Sequence, residues 1–115
     1  MKVLAIDDNV SVLKLLVDSI STACPLAQVF PFSKPSELLT FAKSEHCDSA
    51  FLDIQIWDKN GLEIAKELKE LNPKINIIFV TAYCENTADA FAFHPSGFVI
   101  KPVTKEAIER EIMHL

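Results

Sequence analysis

The chain of 115 residues carries 11 basic and 16 acidic side chains, for a net charge of −5, and 50% of its residues are hydrophobic. This length suits a single domain with a sizeable core, and the composition excludes disordered and low-complexity chains. The acidic balance argues against direct binding of nucleic acid or of an anionic membrane surface by this domain.

The cysteine pattern and the apolar runs indicate the cellular compartment. Cys24, Cys47 and Cys84 lie far apart, without a Cys-x-x-Cys pair, which favours reduced thiols over a disulfide framework. No apolar run approaches the roughly 18 residues of a membrane span, and the chain does not start with a signal-peptide core. We therefore expect a cytoplasmic protein that makes no use of the membrane.

The hydrophobic pattern alternates between strand-like and helix-like segments. Short apolar runs predict five strands, at residues 3–6, 29–30, 50–52, 77–80 and 98–100. Helical spacing between and after them predicts shared apolar faces at Val10, Leu13, Val17 and Ile20, at Ile64, Leu68 and Leu71, and at Ile108, Ile112 and Leu115. Ser33 is predicted to cap the second helix, with Pro35 in its first turn. Pro95 predicts the end of a shorter fourth helix through Ala88, Phe91 and Ala92, and Thr104 predicts the cap of the fifth helix. Such an alternation predicts a parallel sheet with helices on both faces.

Polar residues follow four of the predicted strands. Asp7 and Asp8 follow the first, Asp53 the third, Thr81 the fourth and Lys101 the fifth. In an open α/β sheet, ligands bind beyond the carboxyl ends of the strands, so we expect these side chains to converge at one edge. Asp7 and Asp8 also precede the first helix, and one of them or Asn9 is expected to cap it.

The convergence of three carboxylates, a hydroxyl and an ammonium has a chemical meaning. Mutually repelling carboxylates are a usual site for Mg²⁺, which binds one or two of them together with a phosphate oxygen. The Lys101 ammonium and the Thr81 hydroxyl would hold further phosphoryl oxygens. The sequence therefore predicts phosphoryl transfer to a carboxylate nucleophile.

Four segments together resemble the receiver domain of two-component response regulators, a CheY-like family. They are Ile6-Asp7-Asp8-Asn9, Leu52-Asp53-Ile54-Gln55-Ile56 followed by Gly61, Val80-Thr81-Ala82-Tyr83, and Gly97-Phe98-Val99-Ile100-Lys101-Pro102. The resemblance covers essentially the whole chain and implies a flavodoxin-like (βα)5 three-layer sandwich with strand order 2-1-3-4-5. Residues 1–115 would form the receiver domain, and any output domain would lie beyond position 115.

The resemblance assigns roles to individual residues. Asp53 would be the phosphoacceptor for a sensor histidine kinase, and Asp8, Asp53 and the Gln55 backbone carbonyl would hold Mg²⁺ (or Mn²⁺), with Asp7 reaching it through water. Thr81 and Lys101 would bind phosphoryl oxygens. Phe98 would rotate as Thr81 moves, and the Lys101–Pro102 bond would be cis.

The resemblance also implies an output. Phosphorylation would remodel the surface of the fourth helix, fifth strand and fifth helix, a candidate surface for homodimerisation. The segment 79–83 together with Asp89-Ala90-Phe91 is similar to receivers that precede LytTR-type DNA-binding domains, so we expect control of transcription. The domain would assist its own phosphorylation and dephosphorylation without being a conventional turnover enzyme.

Some residues depart from the family pattern or suggest other chemistry. Trp57 stands where the family usually has a Pro that stiffens the loop, and its ring is expected either to lie over its own loop or to contact a partner. His46 beside Cys47 lacks further metal ligands at a suitable spacing, and His94 before Pro95 is expected at a helix end or on the surface. The first loop begins with two acids, which disfavours a flavodoxin-like phosphate cradle, and its acids are not spaced as in aspartyl-nucleophile phosphatases. The remaining alternative is a receiver that serves as an unphosphorylated interaction module.

Overall fold

The computed structural model describes residues 1–56, 59–82, 90 and 92–113. Its elements, in chain order, are β1 (Lys2–Ile6), α1 (Val10–Ala23), β2 (Gln28–Phe32), α2 (Pro35–Ser44), β3 (Ser49–Leu52), β4 (Gln55–Ile56), β5 (Lys59–Asn60), α3 (Gly61–Leu71), β6 (Asn76–Thr81), β7 (Gly97–Ile100) and α4 (Lys105–Met113). The predicted fourth helix falls largely outside the described residues, so its bounds are not given, although Ala90 and Ala92 are helical.

Five strands form one parallel sheet in the order β2-β1-β3-β6-β7. This is the predicted order 2-1-3-4-5, because β6 and β7 are the fourth and fifth predicted strands. Register places Ile6 beside Leu52, Leu52 beside Phe79, and Phe79 beside Phe98. The carboxyl ends of the strands therefore lie at the same edge of the sheet.

The central strands are buried on both faces, which explains their continuous apolar sequences. In β3, Leu52 packs in one core cluster with Leu4, Ile64 and Phe79, whereas Phe51 packs on the opposite face with Leu16 and Ile108. Each face of the sheet thus buries the apolar side of helices, as the alternating strand and helix pattern predicts.

Helix starts are set by short polar side chains at three places. The Asn9 side chain accepts hydrogen bonds from the backbone N–H groups of Ser11 and Val12, and Thr104 Oγ1 accepts one from Ala107 N–H at 3.2 Å. Asn60 caps α3 in the same way. Each capping side chain satisfies a backbone donor that the helix leaves unpaired.

Three details of the predicted helices are wrong. The N-cap of α2 is Lys34, not Ser33, because Pro35 occupies the first turn and starts the helix one residue later. Val10 is 75% exposed, since it lies about 120° around α1 from the buried Leu16. Leu71 is the last residue of α3, beyond the buried Leu68, and is 46% exposed.

A two-stranded antiparallel hairpin, β4 with β5, lies outside the main sheet and was not predicted. Gln55 pairs with Asn60 and Ile56 with Lys59. The hairpin connects the end of β3 to the start of α3. Within the described part of the chain, no helix has the length and apolar character needed to cross a membrane.

Candidate functional site

The carboxyl edge of the sheet collects the acidic residues that follow β1 and β3. Asp7 comes directly after β1, and Asp53 directly after β3. One carboxylate oxygen from each of Asp7, Asp8 and Asp53 lies within 4.8 Å of the other two. Asp7 and Asp53 are buried and Asp8 is exposed. The predicted convergence of the three carboxylates is confirmed.

Lys101 lies in the same cluster and pairs with two of these carboxylates. Its Nζ atom is 2.8 Å from Asp53 Oδ2 and 2.9 Å from Asp7 Oδ2. The Lys101 backbone N–H donates to the carbonyl oxygen of Thr81 at 2.8 Å, which fastens the loop after β7 to the end of β6. The ammonium thus sits where it partly neutralises the two buried carboxylates, as buried charges require.

Burial and pairing together set the protonation of this cluster. Burial raises the pKa of Asp7 above its ordinary value, although the Asn9 backbone N–H and the Lys101 ammonium both oppose that rise. Burial acts to lower the pKa of Lys101, but its bonds to Asp53 and Asp7 outweigh this effect and the pKa is raised. Lys101 therefore stays cationic at neutral pH.

Asp7 is hydrogen-bonded at one carboxylate oxygen and ion-paired at the other. Its Oδ1 atom accepts a hydrogen bond from the Asn9 backbone N–H at 2.9 Å. Its Oδ2 atom is buried and, among the described residues, has no donor placed for a hydrogen bond, so the Lys101 contact at 2.9 Å acts as an ion pair. This buried oxygen already pairs with an ammonium, so it lies where positive charge is favoured.

These residues fit a magnesium ion. Mg²⁺ prefers oxygen ligands and is bound through one or two carboxylates while keeping several waters, and the exposed Asp8 leaves the cluster open to solvent. Gln55, whose backbone carbonyl was predicted as a further ligand, opens β4 two residues after Asp53. The three carboxylates and the buried Asp7 oxygen therefore match the predicted cofactor.

The start of α3 touches the backbone that carries Asp53. Gly61 N–H donates to the Ile54 carbonyl oxygen at 2.5 Å. A Cβ atom at position 61 would collide with the carbonyl oxygen of Asp53 and come within 2.9 Å of Ile54 Cα. Only glycine permits this close approach, so Gly61 helps to fix the loop after β3. The motif contained Gly61, but its physical role emerges only from the structure.

Thr81 and Phe98, the predicted switch pair, lie on neighbouring strands. Thr81 is the last residue of β6 and is buried, and Phe98 in β7 is half-buried with its ring 6.2 Å from that of Phe79. The Lys101–Pro102 peptide bond is cis, as predicted. Trp57, Tyr83 and Cys84 lie outside the described residues.

His46 and His94 lie away from the candidate site. His46 is exposed and lies 3.7 Å from Asp48, and the described residues contain no group of three or more metal-binding side chains around it or Cys47. His94 is exposed and has a positive φ of 59°. Neither contributes to the cluster at the carboxyl edge.

Comparison with known proteins decides the family. The profile of the response regulator receiver domain matches residues 3–113. The chain belongs to this family. It is therefore a receiver domain of the two-component response regulators, which signal through phosphorylation and interact with a histidine kinase or another phosphodonor. Receiver domains generally bind Mg²⁺ at an acidic pocket, and this chain has an acidic cluster of Asp7, Asp8 and Asp53.

Two curated relatives illustrate the similarity. Protein MrkE of Klebsiella pneumoniae is 28% identical over 108 residues, which cover 94% of this chain and 40% of MrkE. Transcriptional regulatory protein LytR of Staphylococcus aureus is 25% identical over 112 residues, which cover 97% of this chain and 46% of LytR. The receiver thus spans less than half the length of each of these relatives.

Solved structures agree on the fold. The response regulatory domain of MrkE from Klebsiella pneumoniae superposes with a TM-score of 0.89 at 26% identity, covering 100% of this chain and 94% of that one. The BeF3-activated DrrB receiver domain superposes with a TM-score of 0.84 at 23% identity, covering 97% and 93%. The predicted flavodoxin-like, CheY-type fold is confirmed.

Proposed function

We propose that this receiver accepts a phosphoryl group on Asp53 from the phosphohistidine of a sensor histidine kinase. The observation that carries the proposal is the position of the Asp53 carboxylate. It follows a central strand, lies 2.8 Å from the Lys101 ammonium and belongs to a cluster of three carboxylates within 4.8 Å. A nucleophile, a fixed cation and further acidic groups are the parts that phosphoryl transfer needs.

The transfer is a displacement at phosphorus. An Asp53 carboxylate oxygen forms the new P–O bond, the P–N bond to the donor histidine breaks, and the imidazole nitrogen keeps the electron pair of that bond. With a small donor such as acetyl phosphate, the bond from phosphorus to the acetyl oxygen breaks and acetate leaves. A carboxylate nucleophile carries no proton that must be removed, so the step requires no base.

Lys101 and Thr81 would bind the transferred group. The Lys101 ammonium already contacts Asp53 and Asp7, so it would keep one carboxylate contact while turning toward a phosphoryl oxygen. The buried Thr81 hydroxyl would donate to another. Mg²⁺ (or Mn²⁺), held by Asp8, Asp53 and the Gln55 carbonyl with Asp7 through water, would supply positive charge for the phosphoryl oxygens.

Phosphorylation would act as a switch. The new group carries about two negative charges and would draw the Thr81 hydroxyl toward it, and Phe98 would rotate into the vacated space. These movements would remodel the surface of the predicted fourth helix, β7 and α4, which we infer to be a site for homodimerisation. The surface includes the half-exposed Ile100 of β7 and the exposed Met113 of α4.

The output would be transcription, in a cytoplasmic protein. The name of the relative LytR, a transcriptional regulatory protein, supports this. Because the chain covers under half of such relatives, DNA binding would belong to residues beyond the receiver. The domain itself would not hold nucleic acid and would not be a turnover enzyme. The assembled cluster disfavours the alternative of an unphosphorylated interaction module.

The proposal is tested by intact-mass measurement after incubation with acetyl phosphate and Mg²⁺. We expect the mass of the wild-type protein to rise by one phosphoryl group, and no rise when the metal is removed by a chelator. Asp53→Asn should gain no mass, whereas the surface control Asp18→Asn should behave like the wild type. Absence of a mass gain in the wild type would refute the proposal.

A further inference from the structure

Three phenylalanines form a continuous contact beside the proposed switch. The Phe79 ring lies edge-on to that of Phe93, with centroids 5.7 Å apart, and edge-on to that of Phe98, with centroids 6.2 Å apart. Phe79 is fully buried, and Phe93 and Phe98 are half-buried. We call these residues the aromatic triplet. Both distances fall in the range where aromatic rings attract each other.

The sheet places Phe79 next to both switch residues, Thr81 and Phe98. Phe79 is the direct neighbour of Phe98 in the β6–β7 ladder. It also lies two residues before Thr81 in β6, so its side chain is on the same face of the sheet as that of Thr81. Any movement of Phe98 on this face is therefore made against the ring of Phe79.

We propose that Phe79 and Phe93 are positioning residues of the switch, with Phe79 coupling the rotation of Phe98 to the position of Phe93. The inference rests on the proposed phosphorylation of Asp53. Protein interiors are close-packed, so a ring that turns inward displaces the rings it touches. Phe79 has no exposed surface into which it could move, whereas Phe93 is half-exposed and can yield.

The consequence is that a groove beside α3 responds to phosphorylation. Phe93 and Ala92 form one wall of an open groove of about 400 Å³, and the opposite wall is the first turns of α3 with Asn60. The α3 wall includes Leu62, Glu63 and Lys66. Displacement of Phe93 changes the width of this groove, so the response to phosphorylation extends from Phe93 to the start of α3.

The test uses beryllofluoride, which mimics the phosphoryl group on a carboxylate, with Mg²⁺ and the complete chain. The ¹⁹F NMR signal of bound beryllofluoride gives the concentration for half-saturation. Phe93→Leu removes the ring that confines Phe79, so inward rotation of Phe98 becomes easier. We expect the half-saturating concentration to fall about three- to tenfold, the range that corresponds to one aromatic contact.

A matched control separates coupling from general loosening of the core. Phe41→Leu removes another half-buried ring packed on the same core cluster, 4.6 Å from Phe30 and remote from the switch. It should leave the half-saturating beryllofluoride concentration within about twofold of the wild-type value. In a Phe98→Leu background, adding Phe93→Leu should change nothing further, because residues that act through one another are not additive. If Phe93→Leu does not fold, Phe93→Met, which retains an apolar side chain of similar length, should show the same direction.

The outcomes distinguish the two proposals. The coupling is overturned if the half-saturating beryllofluoride concentration of Phe93→Leu equals or exceeds that of the wild type. It is also overturned if Phe93→Leu lowers this concentration by the same factor in the Phe98→Leu background. Failure of the wild type to bind beryllofluoride and to gain a phosphoryl group overturns the proposed function, and the coupling with it. A wild type that binds, alongside an unaffected Phe93→Leu, overturns the coupling alone.

Discussion

Asp7→Asn should stabilise the metal-free protein at neutral pH. In the folded state burial raises the pKa of Asp7 above its ordinary value of 3.8, so ionisation of this carboxyl costs stability. The asparagine side chain has the same shape and keeps the oxygen that accepts from Asn9 N–H, but carries no charge. Lys101 retains Asp53 as a partner at 2.8 Å.

The buried Oδ2 atom, which among the described residues has an ion pair but no hydrogen bond of good geometry, sets the magnitude of this effect. A buried polar atom without a hydrogen bond costs about 1–3 kcal/mol. The Lys101 ammonium at 2.9 Å offsets part of that cost, and the new amide would itself lack a partner. We therefore expect a gain of about 1 kcal/mol, which raises the melting temperature by about 4 °C in a domain of this size.

The assay is thermal unfolding followed by circular dichroism in a chelating buffer, with Asp18→Asn on the exposed side of α1 as the control. Because the folded-state pKa of Asp7 is raised, wild-type Asp7 ceases to cost stability as the pH falls through that pKa. The difference in melting temperature between Asp7→Asn and the wild type should be largest at neutral pH and should shrink in acid. Mg²⁺ should stabilise the wild type more than Asp7→Asn. A variant less stable than the wild type at neutral pH without metal would refute the reasoning.

Two further substitutions test local features of the fold. Ser49→Ala in β3 should raise the free energy of unfolding by about 1 kcal/mol, because the buried Ser49 hydroxyl has no hydrogen-bond partner among the described residues. Urea unfolding measures this free energy, and a less stable variant would contradict the prediction. His94→Gly should stabilise by about 1 kcal/mol, because His94 has a positive φ of 59° that glycine adopts without strain. His94→Ala, which keeps the Cβ atom, should not stabilise in the same unfolding experiment, and equal gains for both variants would exclude backbone strain as the cause.

Much of the fold was predictable because each buried strand is a run of apolar residues that ends at a polar one. Asp7, Asp53 and Lys101 follow such runs, and parallel pairing alone brings them to one edge. The cap at Asn9 and the start of α2 at Pro35 also follow from local chemistry.

Other features depend on contacts distant in sequence. The hairpin of β4 with β5 has two residues in each strand, too few for a periodic signal. The close approach of Gly61 to Asp53 depends on how α3 meets the end of β3, and the double pairing of Lys101 depends on the length of its loop. Val10 is exposed because of the way α1 is rotated about its own axis on the sheet. Helical spacing in the sequence predicts this rotation only to within tens of degrees.

The central claim, that Asp53 is the phosphoacceptor, is tested most directly by locating the phosphoryl group. Borohydride reduces an aspartyl phosphate to homoserine, so peptide mass spectrometry of the phosphorylated and reduced protein marks the modified residue. We expect homoserine at position 53, dependent on Mg²⁺ and absent from Asp53→Asn. Homoserine at Asp7 or Asp8, or an unmodified position 53 in a protein that has gained a phosphoryl group, would contradict the account.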